Sequence, residues 1–205
     1  MKKFALVLTL SLVMCSPAFA TPDPTGRIDA GVGVAALFST DGGTNDAVFI
    51  PGAVNYGLNP NWALGVSSGW ADIEIQGDNG IGSTVDAGSE TVIPLFFDIL
   101  YRFPSNDSSL APYLDLGLGA MLVDHGGNRD LSVNNLTVHD NDGFAVKLAG
   151  GIDWFVTENW GYNLELGYIL TDASADLTST ATGDTVDTVD LDIWYVGAGV
   201  KYRFD

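Results

Sequence analysis

Acyl-transfer chemistry needs a nucleophile beside a positioned base, and this sequence offers few candidates for either. Its two histidines, His125 and His139, both fall in the polar stretch 124–142, with Ser132 and Asp140 nearby. Nothing in their spacing holds them as a triad, so exposed loop residues and no enzyme activity are expected. In the same stretch Asp140-Asn141-Asp142-Gly143 loosely echoes a calcium loop but lacks the spaced ligands and the closing Glu. Neither a metal nor a cofactor is expected. Another set of charges is placed more tellingly. Arg27, Arg102, Lys147, Lys201 and Arg203, with Asp29, Asp98, Asp115, Asp153 and Glu165, stand in alternating stretches, always on the side shared with small residues. Five cations and five anions on one face are what a paired, closed interior requires.

The elements that place them are strands. Eight segments of about ten residues alternate large apolar side chains with small or charged ones, a period of two. Ile28, Val32, Val34 and Phe38 oppose Asp29, Gly31, Gly33 and Ala35; later, Leu114, Leu116 and Leu118 oppose Tyr113, Asp115 and Gly117. The closing segment sets Trp194, Val196, Val200, Tyr202 and Phe204 against Gly197, Gly199, Lys201 and Arg203. Breaks in phase near Asp72 and Ile193 point to bulges or to strands leaving a membrane. Short turns at 59–61, 104–110 and 156–159 alternate with long polar loops at 39–46, 76–89, 124–142 and 172–187. That asymmetry, with both termini on the short side, is the arrangement of a transmembrane β-barrel. Trp62, Tyr101, Phe103, Trp154, Trp160, Tyr162, Tyr202 and Phe204 gather at the short-turn ends, as an interfacial aromatic girdle would.

A soluble secreted barrel with its apolar face inward is the rival arrangement, and charge placement decides against it. A Lys or Arg facing mid-bilayer costs roughly 2–4 kcal/mol, and five outward would cost on the order of 10 kcal/mol, a domain's whole stability. The bulky apolar face therefore meets lipid, and the small, charged face meets the lumen, where eight strands leave little room.

The chain ends and bulk composition agree. Lys2 and Lys3, the apolar stretch from Phe4 to Cys15 and the A-x-A site Ala18-Phe19-Ala20 form an export signal over residues 1–20, too short to span a bilayer. Leu12-Val13-Met14-Cys15 is loosely lipobox-like, but Met14 is bulky where a small residue is wanted. Residues 21–205 then form one domain without cysteine, so no disulfide or thiolate chemistry is open to it. Without Lys2 and Lys3, six of the 8 basic residues remain against 26 acidic ones, a net charge near −20. Such a surface repels nucleic acid. With 46% hydrophobic residues the chain is not disordered either. The acidic loop residues read as a solvated surface, with divalent-cation bridging to lipopolysaccharide as the functional alternative.

The stretch Val196-Gly-Ala-Gly-Val-Lys-Tyr-Arg-Phe204 resembles the C-terminal signal of outer-membrane barrels, with Tyr202 and Phe204 at its aromatic positions and Asp205 departing from it. More narrowly, Val92-Ile-Pro-Leu95 leading into Leu100-Tyr-Arg-Phe103, Ala111-Pro-Tyr-Leu-Asp-Leu-Gly-Leu-Gly119 and Gly199-Val-Lys-Tyr-Arg-Phe204 resemble the OmpW family, although only Pro94 stands where that family usually shows two prolines. The resemblance implies an eight-stranded all-β barrel in a Gram-negative outer membrane, contacting lipid and lipopolysaccharide, handled by the barrel-assembly machinery, and passing small hydrophobic molecules. The residues fit a hydrophobic pocket open to the outside, lined by Leu37, Phe49, Pro51, Ala71, Pro94, Phe96, Met121 and Ile169, above a plug of ion pairs. A ligand would leave sideways near Pro51 or Pro94, because proline cannot donate to the strand ladder. The alternative is a small barrel that contacts surfaces and transports nothing.

Overall fold

The computed structural model describes residues 23–39, 46–78, 84–104, 109–126, 136–179 and 185–204. Eight antiparallel strands close a barrel: β1 (Ile28–Ser39), β2 (Ala47–Gly57), β3 (Trp62–Asp78), β4 (Thr84–Arg102), β5 (Leu110–Gly126), β7 (Gly143–Phe155), β8 (Trp160–Thr171) and β11 (Ile193–Phe204). The first and last strands pair in unbroken register from Ile28–Phe204 to Ser39–Ile193. Closure leaves no strand edge, which is the condition for β-structure inside a bilayer. The export signal, Arg129, Ser132 and Asp205 lie outside the described residues.

Alternation sets the faces as the pattern requires. Val34, Val48, Leu148 and Leu164 point outward and are more than half exposed, while Asp29, Asp98, Asp153 and Arg203 are buried inside. The two expected breaks in phase are absent: Ala71 and Ile73 point inward on either side of exposed Asp72, and Ile193 and Tyr195 point inward on either side of Trp194. Of the two readings for Asp72, β3 leaving the membrane fits and a bulge there does not; the register shift comes further on, between Ile75 and Gln76. The loops at 76–89 and 124–142 are also shorter than expected. β3, β4 and β5 run for 17, 19 and 17 residues, against the roughly 9–11 that cross a bilayer. Beyond the barrel β6 (Leu136–Asn141), β9 (Ser174–Ser179) and β10 (Thr185–Asp190) form a separate sheet in the order β10-β9-β6. Above the membrane both faces of a strand meet water, so polar composition there does not distinguish strand from loop.

Two short turns are built alike. Asn59 Oδ1 accepts the amides of Asn61 and Trp62, and Thr157 Oγ1 accepts those of Asn159 and Trp160. Asn61 then donates to the carbonyl of Arg102 and Asn159 to that of Arg203, both at close to 2.9 Å. Each turn thus latches onto the strand that carries a lumenal arginine. At the N-terminus Thr25 donates from its hydroxyl and its amide to Asp23, which holds that carboxyl below the usual carboxylate range.

The lower girdle is a chain of ring contacts, Trp62–Tyr101–Phe103 and Trp160–Tyr202–Phe204, with centroids 4.8–5.0 Å apart. A second girdle faces it. Trp62 and Trp70, Trp160 and Tyr168, and Tyr202 and Trp194 are each eight residues apart on one outward face. At ~3.3 Å per residue and a tilt near 40° this spans about 20 Å of height, close to the apolar band of about 25 Å.

Candidate binding site in the barrel lumen

The lumen is stacked in layers. At the short-turn end Arg203 holds Asp29 through two hydrogen bonds (Nε to Oδ1, 2.6 Å; Nη2 to Oδ2, 3.0 Å), and Arg102 adds a third at 2.8 Å. The Arg203 guanidinium also lies 4.2 Å from the centre of the Phe155 ring. Arg27 sits half-buried at the rim, just before β1. One layer up, Lys201 bonds Asp153 at 2.5 Å. Lys147 reaches Asp115 at 2.7 Å, Asp98 at 2.9 Å and Ser67 Oγ at 2.8 Å. Its contact with Asp98 is an ion pair without hydrogen-bond geometry. These strands bring together charges up to 174 positions apart in sequence, and pairing offsets their desolvation.

Glu165 differs from its grouping with the ion pairs. Its hydrogen bonds come from two tyrosines: Tyr113 OH donates to Oε2 at 2.5 Å and Tyr195 OH to Oε1 at 2.7 Å. Glycines make this clamp. A Cβ at Gly151 would meet the Tyr113 hydroxyl at 2.6 Å, and one at Gly167 would meet the Tyr195 ring at 2.4 Å. The tyrosines lie across bare backbone to reach one carboxylate. Lumenal tyrosines opposite glycines were the sequence signal for it, but only the register reveals which tyrosine crosses which glycine.

Above the clamp the lumen is packed. Leu37, Phe49, Phe96, Met121 and Ile169 are buried in one apolar cluster with Ile73, Val92, Leu191 and Ile193. The pocket expected to open outward is thus filled by its own lining, because branched and aromatic side chains from facing strands meet across a narrow barrel. The open space lies lower. A cavity of about 80 Å³ sits at mid-height, lined by Phe49, Pro51, Pro94, Phe96 and Ile169 together with Glu165, Tyr195, Asp115 and Lys147.

The wall beside this cavity is weak. Gly33, Pro51, Gly69 and Pro94 occupy one row across β1 to β4. The β1–β2 ladder passes from Val32–Gly52 directly to Ala35–Phe49, and the β3–β4 ladder from Ser68–Leu95 directly to Ala71–Val92. Both skips fall at the prolines, which have no N–H to give. The Pro94 carbonyl accepts a hydrogen bond from Ser68 Oγ at 2.8 Å. On the lipid side the same place is a groove lined by Val32, Ile50, Gly52, Val66, Ser68 and Trp70. Pro51, Gly52, Ser67 and Ser68 border both the groove and the cavity.

Of the residues considered for enzyme chemistry, His125 lies at the outer end of β5 and His139 on β6, in separate sheets. Asp142 Oδ1 accepts the Val123 amide, and Asn141 donates to Asp176.

A closed eight-stranded barrel with an apolar exterior, two aromatic girdles and a charge-paired lumen is a transmembrane protein of the bacterial outer membrane. The sequence pattern of the outer membrane protein beta-barrel domain family matches residues 5–204, and the chain belongs to that family. It is 25% identical over 151 residues to an uncharacterised outer-membrane protein, y4mB, of Sinorhizobium fredii, covering 74% of this chain and 63% of that relative. In fold it is similar to OprG of Pseudomonas aeruginosa (TM-score 0.74, 15% identity, 91% and 99% of the two chains). It is likewise similar to outer membrane protein W of E. coli (TM-score 0.52, 19% identity, 88% and 98%).

Proposed function

We propose that the barrel passes small hydrophobic molecules across the outer membrane and releases them sideways into lipid between β1 and β4. The observation that carries this reading is the coincidence of the lumenal cavity, the outer groove and both ladder skips at Pro51, Gly52, Ser68 and Pro94. The charged layers below close the route to the periplasm, and the apolar cluster above must part to admit a ligand. Phe49 is placed to act as the leaf. Its ring lies where a Cβ on Gly69 would fall, 2.2 Å away, and meets Tyr195 edge-on at 6.0 Å.

Gly52 supplies the test. It faces lipid between Ile50 and Val54, and a Cβ there would meet nothing closer than the Gly31 carbonyl at 3.7 Å. The backbone does not demand glycine, so Gly52→Leu fills the groove without touching the lumen. Removing a strand glycine stabilises by roughly 0.5–1 kcal/mol. Cells making this variant, wild type or no protein are compared for naphthalene uptake. Uptake at the null level with a barrel at least as stable is the expected result. Equal uptake by wild-type and null cells overturns the reading.

A second reading has its own support. The packed upper lumen and the sheet beyond the membrane suit a barrel that contacts lipopolysaccharide or another surface and transports nothing. On that reading Gly52→Leu leaves uptake unchanged. Export through a cleaved signal over residues 1–20 and recognition of Tyr202 and Phe204 by the assembly machinery complete the proposal; these two rings stack at 4.8 Å on the outer face of the closing strand.

A further inference from the structure

The cavity is not uniformly apolar: Asp115, Glu165, Lys147 and Lys201 line it as well. Two ammonium groups, Lys147 and Lys201, stand at mid-lumen against four carboxylates, Asp98, Asp115, Asp153 and Glu165. Three of those carboxylates are 1–5% exposed and turned to lysines. Glu165 alone of the four is only partly buried, and it borders the open space. Tyr113 and Tyr195 donate to it from neutral hydroxyls, and a carboxylate offers about four lone-pair sites. The tyrosines fix its orientation and leave acceptor capacity on a residue that borders the cavity. Phe49, Pro51, Phe96 and Ile169 line the same space.

We infer that the cavity is a binding site for a small primary amine on an apolar body, its ammonium donating to Glu165 and its apolar part lying against Phe49 and Phe96 toward the Pro51 row. The size is suitable. About 80 Å³ holds roughly six waters by the space one water needs, comparable to a single substituted ring. The charge is suitable too. A cation gains from Glu165, which has no ion pair among the described residues, whereas the other lining carboxylate, Asp115, is already paired with Lys147; an anion meets repulsion from Glu165. A plain hydrocarbon leaves the acceptors of Glu165 without a partner. The inference rests on the cavity being a ligand path, and it deepens that reading by naming the class of molecule preferred.

The test is equilibrium binding to the full-length barrel in phosphatidylcholine nanodiscs, with ring-¹³C tyrosine and with Tyr113 and Tyr195 assigned through their Phe variants. Benzylamine, toluene and benzoate are the probes, at neutral pH where the amine is protonated. Benzylamine is expected to shift both tyrosine signals saturably and to bind more tightly than toluene; benzoate is expected to leave both unmoved. Glu165→Gln keeps the shape and removes the charge, and should weaken benzylamine about tenfold or more, the worth of a charge-assisted hydrogen bond. Tyr195→Phe removes one competing donor at constant ring shape and should strengthen benzylamine about threefold, an order-of-magnitude figure for one neutral hydrogen bond. A merely structural Glu165–Tyr195 contact would give no gain. Benzoate binding as tightly as benzylamine overturns the proposal, as does either variant matching wild type; if Glu165→Gln fails to fold, the Tyr195→Phe arm decides. Gly52→Leu separates the two readings: tyrosine shifts with wild-type uptake keep the site and remove the path, whereas lost uptake with silent tyrosines keeps the path and removes the site.

Discussion

Replacing Lys147 with methionine separates two allocations of this chain by the sign of one free-energy change. In the structure the ammonium lies 2.7 Å from Asp115 and 2.9 Å from Asp98, with all three side chains at most 7% exposed. Methionine fills a similar volume and removes the charge, leaving two carboxylates facing each other without a cation. Removing one partner of a buried pair costs roughly 3–5 kcal/mol, so Lys147→Met should destabilise the barrel by about that much. Had Lys147 faced the bilayer, the same substitution would stabilise it by roughly 2–4 kcal/mol. The two cases differ by about 5 kcal/mol or more. Reversible denaturant unfolding into liposomes, followed by tryptophan fluorescence, reads the difference directly. The triple variant K147M/D98N/D115N should recover most of the loss, because it removes the stranded charges together with their partner. Unchanged or increased stability of Lys147→Met would refute the inward allocation. A triple variant no better than the single would show that the cost lies in packing.

Other outcomes follow from single contacts. Gly119→Ala places a Cβ 1.8 Å from the Leu95 carbonyl, which forces β4 and β5 apart; loss of the heat-modifiable band on electrophoresis is expected. Asn61→Ala and Asn159→Ala each remove one latch to Arg102 or Arg203 and should cost about 1 kcal/mol apiece. The two costs should add, since the latches share no partner; unfolding of the singles and the double checks this. Phe204→Ala removes the terminal ring stacked on Tyr202 and should slow insertion of the barrel in cells, read as accumulation of the unfolded form in the periplasm.

Alternation was enough to assign Asp29, Asp98, Arg102, Asp115, Lys147, Asp153, Lys201 and Arg203 the inner face, because a period of two has only two phases and lipid tolerates one of them; Glu90, equally buried, lies outside the alternating segments and was not among them. It was not enough to assign partners. Asp29 meets Arg203 from the far end of the chain, and Glu165 meets Tyr113 and Tyr195 across Gly151 and Gly167; these follow from register, which closure sets. Height within the membrane is legible too: the eight-residue spacing of Trp62 and Trp70, Trp160 and Tyr168, and Trp194 and Tyr202 marks both interfaces. Whether the apolar residues of the upper lumen line a hole or fill it depends on volumes across the barrel. One strand's pattern holds no information on that, and Met121 and Ile169 prove to be fully buried.

The placement of bulk around the barrel bears on function more than any single residue does. β5, β7, β8 and β11 send Tyr113, Asp115, Lys147, Glu165, Tyr195 and Lys201 into the middle of the lumen. β1 to β3 answer at that level mainly with Gly31, Gly33, Pro51, Ala53 and Ser67. Some of this smallness is imposed: a Cβ on Gly33 would press the Ala198 carbonyl at 2.8 Å, and one on Gly69 the Phe49 ring. Gly52 is under no such constraint, yet it leaves a gap in the apolar belt opposite the thin inner wall. Two prolines then interrupt the ladders on either side of the β2–β3 pair. A barrel selected only for stability would fill position 52 and hydrogen-bond positions 51 and 94, gaining from each change. Three such features on one side of one cavity support the proposed exit between β1 and β4.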